Sequence, residues 1–276
     1  MTSRPDLPAE LDVVALGNAI VDVLAHAEDQ FLAELGVEKG SMRLVDAEEA
    51  AAIYARMGPG IEASGGSAAN TTVGVASLGG TAGFIGKVRD DQLGAVYAHD
   101  IRAAGVYFDT PAATTGPPTA QSLILITPDA QRTMNTFLGA STGLEPGDVD
   151  ATLIRRAKVT YLEGYLWDPP AAKAAFRTAM ETAELAGAKV AFTLSDAFCV
   201  DRWRDEFLHL MRSRTVDLVF ANEAELHSLY QTSDFAAAVG ALRQDVALAA
   251  VTRSEKGCLV VSREQTLAVP AFPVAQ

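Results

Sequence analysis

The stretch Ala63-Ser64-Gly65-Gly66-Ser67-Ala68-Ala69-Asn70-Thr71-Thr72 concentrates residue types able to grip a polar ligand. Gly65 and Gly66 let the backbone adopt positive φ and approach a ligand closely, and Ser67 is placed to cap the small-residue helix that follows. The amide of Asn70 donates and accepts at once, which suits a sugar hydroxyl. The same pattern also describes a tight turn opening an ordinary helix. A second cluster, Gly17-Asn18-Ala19-Ile20-Val21-Asp22, puts an amide and a carboxylate where an apolar run ends. Open α/β sheets form ligand crevices at such points, and a carboxylate inside an apolar strand is costly without a partner. Asp22 turned to solvent on the strand's polar side is the alternative. Further on, Asn222-Glu223-Ala224-Glu225 has the spacing of a helix capping box. Val251-Thr252-Arg253-Ser254-Glu255-Lys256-Gly257 reads, by itself, as a loop between strands.

Composition narrows the ligand. The 276 residues carry a formal charge of -13, which argues against nucleic acid or an anionic membrane surface as partner. Phosphate can still be held by backbone amides, helix termini and a metal. Cys199 and Cys258 have no metal-type spacing and fit a reduced, cytoplasmic protein. His26, His99, His209 and His227 stand alone in sequence and read as surface or packing residues. Met1 to Glu10 lacks the pattern of a signal peptide, and no apolar run has the length of a membrane span.

The elements that must position these residues follow from the apolar pattern. Leu11–Leu16 and Val21–Ala25 read as adjoining strands of one buried sheet. Lys39–Val45 is a short strand, Ala47–Met57 a helix, and Ser67–Leu78 a helix of small residues closed by Gly79-Gly80. Strand 82–88, helix 92–104 and strand 106–109 then set a βαβ rhythm, which predicts parallel pairing with right-handed crossovers. Thr119–Thr127 and Arg132–Phe137 break it as an antiparallel pair joined through Pro128-Asp129-Ala130, and predict a small accessory sheet or lid with Lys39–Val45. From Lys158 the rhythm resumes: a strand through Glu163, a helix from Pro170, and a strand at 189–194. A helix at 203–213, a strand at 216–220 and further elements follow, ending in paired strands at 258–261 and 266–269.

With these residues in view, the whole chain resembles the ribokinase (PfkB) family of ATP-dependent carbohydrate and nucleoside kinases. Gly65, Gly66, Asn70, Thr72 and Gly79 meet its first signature, although Arg89 stands where the family has a further glycine. Within the family the likeness is to the adenosine kinase branch, carried by 17–22, 63–67, Thr193-Leu194-Ser195-Asp196-Ala197-Phe198 and 219–225. The resemblance implies an α/β fold, a ribokinase-like three-layer α/β/α core with a mostly parallel sheet and a β lid formed by segments about 38–46 and 107–138. It implies that Asp22 binds ribose hydroxyls with Asn18, Gly65, Gly66 and Asn70, that Met42, Leu44, Met134 and Asn135 face the substrate with Arg132 near the entrance, and that Glu163 joins the substrate residues. It places ATP at Asn222, Thr252 and Gly257, and Mg2+ at Glu225. Leu166 stands where that branch often has an aromatic residue.

The implied reaction is in-line transfer of the ATP γ-phosphoryl to the primary (5′) hydroxyl of adenosine or a related nucleoside. The alternatives are a ribokinase-like or fructokinase-like sugar kinase, or a catalytically dead nucleoside-binding protein. The family's Asp-Thr-x-Gly-Ala-Gly-Asp motif, with its catalytic Asp, does not occur, and the sequence stops at Gln276 where the segment leading to it would begin. A polypeptide ending there is expected to be inactive by itself. A monomer or homodimer fits.

Overall fold

The computed structural model describes residues 10–273, so the opening stretch read for a signal peptide lies, apart from Glu10, outside the described residues. The first strand, β1 (Leu11–Leu16), is largely buried on both sides. After Gly17-Asn18-Ala19 the chain enters β2 (Ile20–His26), where burial alternates residue by residue. A period of two means a sheet with one face covered. The two strands accordingly part: β1 joins a large sheet and β2 a small one. Reading them as neighbours in one sheet is corrected, because the chain leaves one layer for the other at Gly17-Asn18-Ala19.

Next come α1 (Asp29–Leu35), β3 (Met42–Leu44), α2 (Ala47–Tyr54) and β4 (Ile61–Gly65). Asp46 caps α2 by accepting from the Glu49 amide, and α2 buries Ala50 and Ile53 in the same core as Val21, Val23 and Leu123 of the small sheet. The helix α3 (Ser67–Ser77) starts at the diglycine, but Ser67 does not cap it. Gly66 takes that position with φ +103°, and a Cβ on it would lie 2.2 Å from the carbonyl oxygen of Asn18. Only glycine fits there, and the price is a helix start with no side-chain cap.

The next elements are β5 (Ala82–Ile85), α4 (Gln92–Ala103), β6 (Val106–Phe108), β7 (Ala120–Ile126) and β8 (Arg132–Phe137). They are followed by α5 (Ala151–Arg155), β9 (Ala157–Glu163), α6 (Pro170–Leu185), β10 (Lys189–Thr193) and α7 (Ala197–Arg212). The described residues close with β11 (Leu218–Asn222), α8 (Glu223–Tyr230), α9 (Phe235–Asp245), β12 (Leu248–Thr252), β13 (Cys258–Ser262) and β14 (Thr266–Val269). The helix expected from Trp203 begins earlier, under an Asp196 cap, and Trp203 is instead where it kinks (φ -123°, ψ 18°).

The large sheet has the order β14-β13-β12-β11-β10-β9-β1-β5-β6, parallel from β12 to β6, with β13 and β14 antiparallel at one end. The small sheet has the order β3-β8-β7-β2-β4. Segments 38–46 and 107–138 supply its β3, β7 and β8. The strands β2 and β4 come from outside those ranges, and β6, most of which lies in the second range, belongs to the large sheet.

Two cores hold these layers. In one, Trp167 meets Phe176, Phe192 and Phe207, with the last two ring centroids 5.0 Å apart. The other runs from Phe84, Tyr97, Ile101 and Phe108 into Val21, Val23 and Leu123, so the small sheet shares apolar contacts with the layer of α4. Among the described residues no helix is long and apolar enough to cross a membrane.

Candidate active site

Parallel strands end at one edge. In the large sheet this brings Gly17 and Asn18 beyond β1, Glu163 of β9, Ser195 and Asp196 beyond β10, Asn222 of β11 and Thr252 of β12 along a single rim. Such a rim is where open α/β sheets place ligands.

Asp22 reaches this region from β2. Its carboxylate lies against Gly65, where a Cβ would fall 2.4 Å from Asp22 Cγ and Oδ2. Glycine at 65 therefore makes room for the acid. Asp22 is partly buried and makes no hydrogen bond within the chain among the described residues. Burial pushes its pKa up to about 6, and the Arg132 guanidinium pulls the other way. Asn70, exposed in the first turn of α3, has a side chain equally free of partners among the described residues.

Strand register settles which small-sheet residues share a face with Asp22. Asp22 pairs with Ser122, Ser122 with Thr136, and Thr136 with Leu44; two residues away, Met134 pairs with Met42. Met42 and Leu44 are 43% and 61% exposed, so this face presents apolar surface beside the acid. Asn135 is one position out of step and lies on the opposite face. It is fully buried, and its Oδ1 accepts from Arg43 Nε at 2.7 Å. The expectation that Asn135 faces a substrate together with Met134 is corrected by this alternation.

Asn18 and Glu163 are consumed by each other. Glu163 Oε1 accepts from the Asn18 backbone N at 2.6 Å and from its Nδ2 at 2.7 Å, while Oε2 accepts from the Ala68 amide at 2.8 Å. Asn18 Oδ1 lies 2.7 Å from Ser141 Oγ. Burial pushes the Glu163 pKa up to about 7 against those three donors. Gly17 is required here too, since its Cβ would lie 2.6 Å from Glu163 Cδ.

At the far end of the rim, Asn222 and Glu225 form a complete capping box. Asn222 Oδ1 accepts from the Glu225 amide at 2.8 Å, and the Glu225 carboxylate accepts from Asn222 N and Nδ2 at 3.0 and 2.6 Å. A cleft of about 350 Å3 opens beside them between Asn222 and Thr252, walled by Arg253 and Lys256. Gly257 lies outside its lining. At φ +86°, with a would-be Cβ 2.0 Å from the Val269 carbonyl oxygen, it folds the loop back onto β14.

Three residues emerge that pattern reading passed over. Asp196 accepts from the Cys199 amide at 2.6 Å, and its charge adds to burial in raising the Glu225 pKa. An Asp before an apolar helix was the available signal. Tyr165, whose OH donates to the Ser195 carbonyl at 3.0 Å, is the aromatic residue at the end of β9, whereas Leu166 is buried in the core. Ser141 had no sequence signal. Arg89, in place of a glycine, donates through its guanidinium to the Gly116 carbonyl at 2.8 Å.

The pfkB family carbohydrate kinase profile matches residues 58–276. The chain belongs to the pfkB family of carbohydrate kinases. An adenosine kinase from Sinorhizobium meliloti is 54% identical, with a TM-score of 0.91 over 97% of this chain and 82% of that one. A probable sugar kinase from Rhizobium etli is 50% identical, with a TM-score of 0.91 over 97% and 81%. A fructokinase from Oryza sativa subsp. japonica is 28% identical over 229 residues, 78% of this chain and 69% of its own length. The large mostly parallel sheet with a smaller second sheet is thus the ribokinase-like fold of these pfkB neighbours. Membership makes the protein a phosphotransferase, a nucleoside or sugar kinase.

Proposed function

We propose that this pfkB kinase transfers the γ-phosphoryl of ATP to the primary (5′) hydroxyl of a nucleoside such as adenosine. The observation that carries the reading is Asp22: a partly buried carboxylate with no hydrogen bond among the described residues, sharing a face with Met42, Leu44 and Met134. Ionised, it accepts two neighbouring hydroxyls of a ribose, and Asn70 completes the set. The apolar side chains suit a flat base better than a bare sugar, and the named adenosine kinase at 54% identity agrees. Gly65 and Gly66 admit the ligand to the backbone; Asn18 and Glu163 hold the frame.

ATP lies at the Asn222–Thr252 cleft in this reading. Asp196 and Glu225, which lie outside the lining of that cleft, are the carboxylates that would hold Mg2+. Asp196 and Glu225 repel one another electrostatically, which a cation relieves, and among the described residues no cluster of three acidic, His or Cys side chains makes a dry protein cage. Mg2+ retains several waters and takes few carboxylates, so Glu225 would hold it through water. When bound, it neutralises charge on the phosphates. The chain's own part is to bind both substrates and align hydroxyl with phosphate. Free thiols at Cys199 and Cys258 are in keeping with a reducing, cytoplasmic setting.

A second reading, a sugar kinase, is favoured by the rice fructokinase and the Rhizobium etli protein. Phosphorylation assays across nucleosides and free sugars decide: turnover of adenosine above all sugars supports the first reading, and turnover of sugars without nucleosides overturns it.

A further inference from the structure

The chain passes between the two sheets four times: at Gly17–Ala19, at Gly66, between Phe108 and Ala120, and after Phe137. One buried carboxylate touches the first two passages directly. Glu163 Oε1 takes both Asn18 donors, at 2.6 and 2.7 Å, and Oε2 takes the Ala68 amide at 2.8 Å. It reaches the fourth passage through Asn18, whose Oδ1 faces Ser141 Oγ at 2.7 Å. The Ser141 hydroxyl also lies 2.5 Å from the Leu138 carbonyl oxygen, so one proton serves two acceptors within this joint. The third passage is tied to the start of α4 by Asp91, which accepts from Thr119 N at 2.9 Å and Thr119 Oγ1 at 2.6 Å, and it meets the fourth directly, where Ala140 N donates to the Pro118 carbonyl at 2.9 Å.

Glu163 is 0% exposed, and its oxygens are turned to Asn18 and the start of α3. Gly17 and Gly66 exist in the form this joint demands, one leaving room for Glu163 and the other letting the first two passages touch. The groups that face the joint are Tyr97 of α4 and Tyr161 and Tyr165 at β9, and among the described residues no cation offsets its burial.

We propose that Glu163 is a positioning residue: its carboxylate joins the small sheet to the large one at three of the four passages and so sets where Asp22 and Asn70 stand. The inference rests on the acceptor-site reading above, and it assigns Glu163 a role other than direct ligand. Asp22 lies in β2, four residues after Asn18, and Asn70 follows Ala68 in the first turn of α3. Loosening either anchor therefore displaces a group that holds the acceptor.

The test compares the full chain with Glu163→Gln, Ser141→Ala and the double variant, using adenosine and fructose as probes. Glutamine keeps the shape but replaces one acceptor oxygen by an NH2 that cannot accept. The expected result is a rise of about tenfold in the acceptor KM for E163Q, with the ATP KM little changed. Amide hydrogen exchange at residues 18 and 68 should quicken. S141A should raise the acceptor KM in the same direction, and the double variant should be no worse than E163Q, since both act through one chain of bonds. Fully additive effects overturn the proposal, as does a raised KM with exchange at 18 and 68 unchanged, which would make Glu163 a ligand. Should E163Q not fold, S141A decides: an unchanged acceptor KM overturns the proposal. If the wild-type chain neither phosphorylates nor binds either probe in calorimetry, the acceptor-site reading fails, while exchange at 18 and 68 without acceptor still decides the positioning role.

Discussion

Two carboxylates near the diglycine have opposite fates, and their partners account for it. Asp22 is left without a hydrogen bond among the described residues, whereas Glu163 accepts three. Only the first has lone pairs free for a ligand. Replacing Asp22 by Asn should weaken acceptor binding by about 2 kcal/mol, the scale of a hydrogen bond to a charged group, with the ATP KM unchanged; calorimetry and steady-state kinetics check this. Because the ionised form does the binding, acceptor affinity of the unchanged protein should fall as pH drops through about 6. Gly65→Ala is a steric test of the same contact. A methyl 2.4 Å from Asp22 must displace the acid, and stability should fall by roughly 1–3 kcal/mol together with acceptor binding.

At the scale of elements, helix starts divide into capped and uncapped. The helix α8 is closed by the Asn222–Glu225 box, which is a complete structural reason for those residues. Asn222→Ala should cost about 1 kcal/mol in thermal unfolding and raise the ATP KM without moving the acceptor KM. A raised acceptor KM would contradict the division of the rim into two ends. By contrast α3 begins at Gly66 with no side-chain cap, and Glu163 supplies the acceptor for its Ala68 amide from another strand. The negative charge at that helix start also complements the helix dipole.

For the molecule as a whole, burial of acids in the joint between sheets ties stability to pH. The pKa of Asp22 rises from 3.8 to about 6, and that of Glu163 from 4.5 to about 7. The folded chain thus binds more protons than the unfolded one across that window. Stability contributed by these groups is greatest at the acidic end and is lost as pH rises through about 7. Thermal melts between pH 5 and 8 should show this decline, and Asp22→Asn should flatten its lower part. The aromatic core behind the large sheet contributes through packing. Trp167→Ala, which removes the ring shared by Phe176, Phe192 and Phe207, should cost about 3–5 kcal/mol in chemical denaturation.

What the sequence determined by itself is local. The βα rhythm, the hairpin through Pro128–Ala130, the glycines at 65 and 66 and the Asn222–Glu225 box each follow from period, turn chemistry or spacing within a few residues. That Asp22 stands where an apolar run begins, and Asn70 in the helix that opens after the diglycine, follows from the sequence in the same way. Only the tertiary structure decided that β2 leaves the large sheet, that Asn135 turns away from Asp22, and that Glu163 is spent on Asn18, 145 residues away in sequence. Those outcomes depend on which strands pair and which donors reach a buried acid. A carboxylate's availability is set by neighbours brought together through folding, and no spacing along the chain records them.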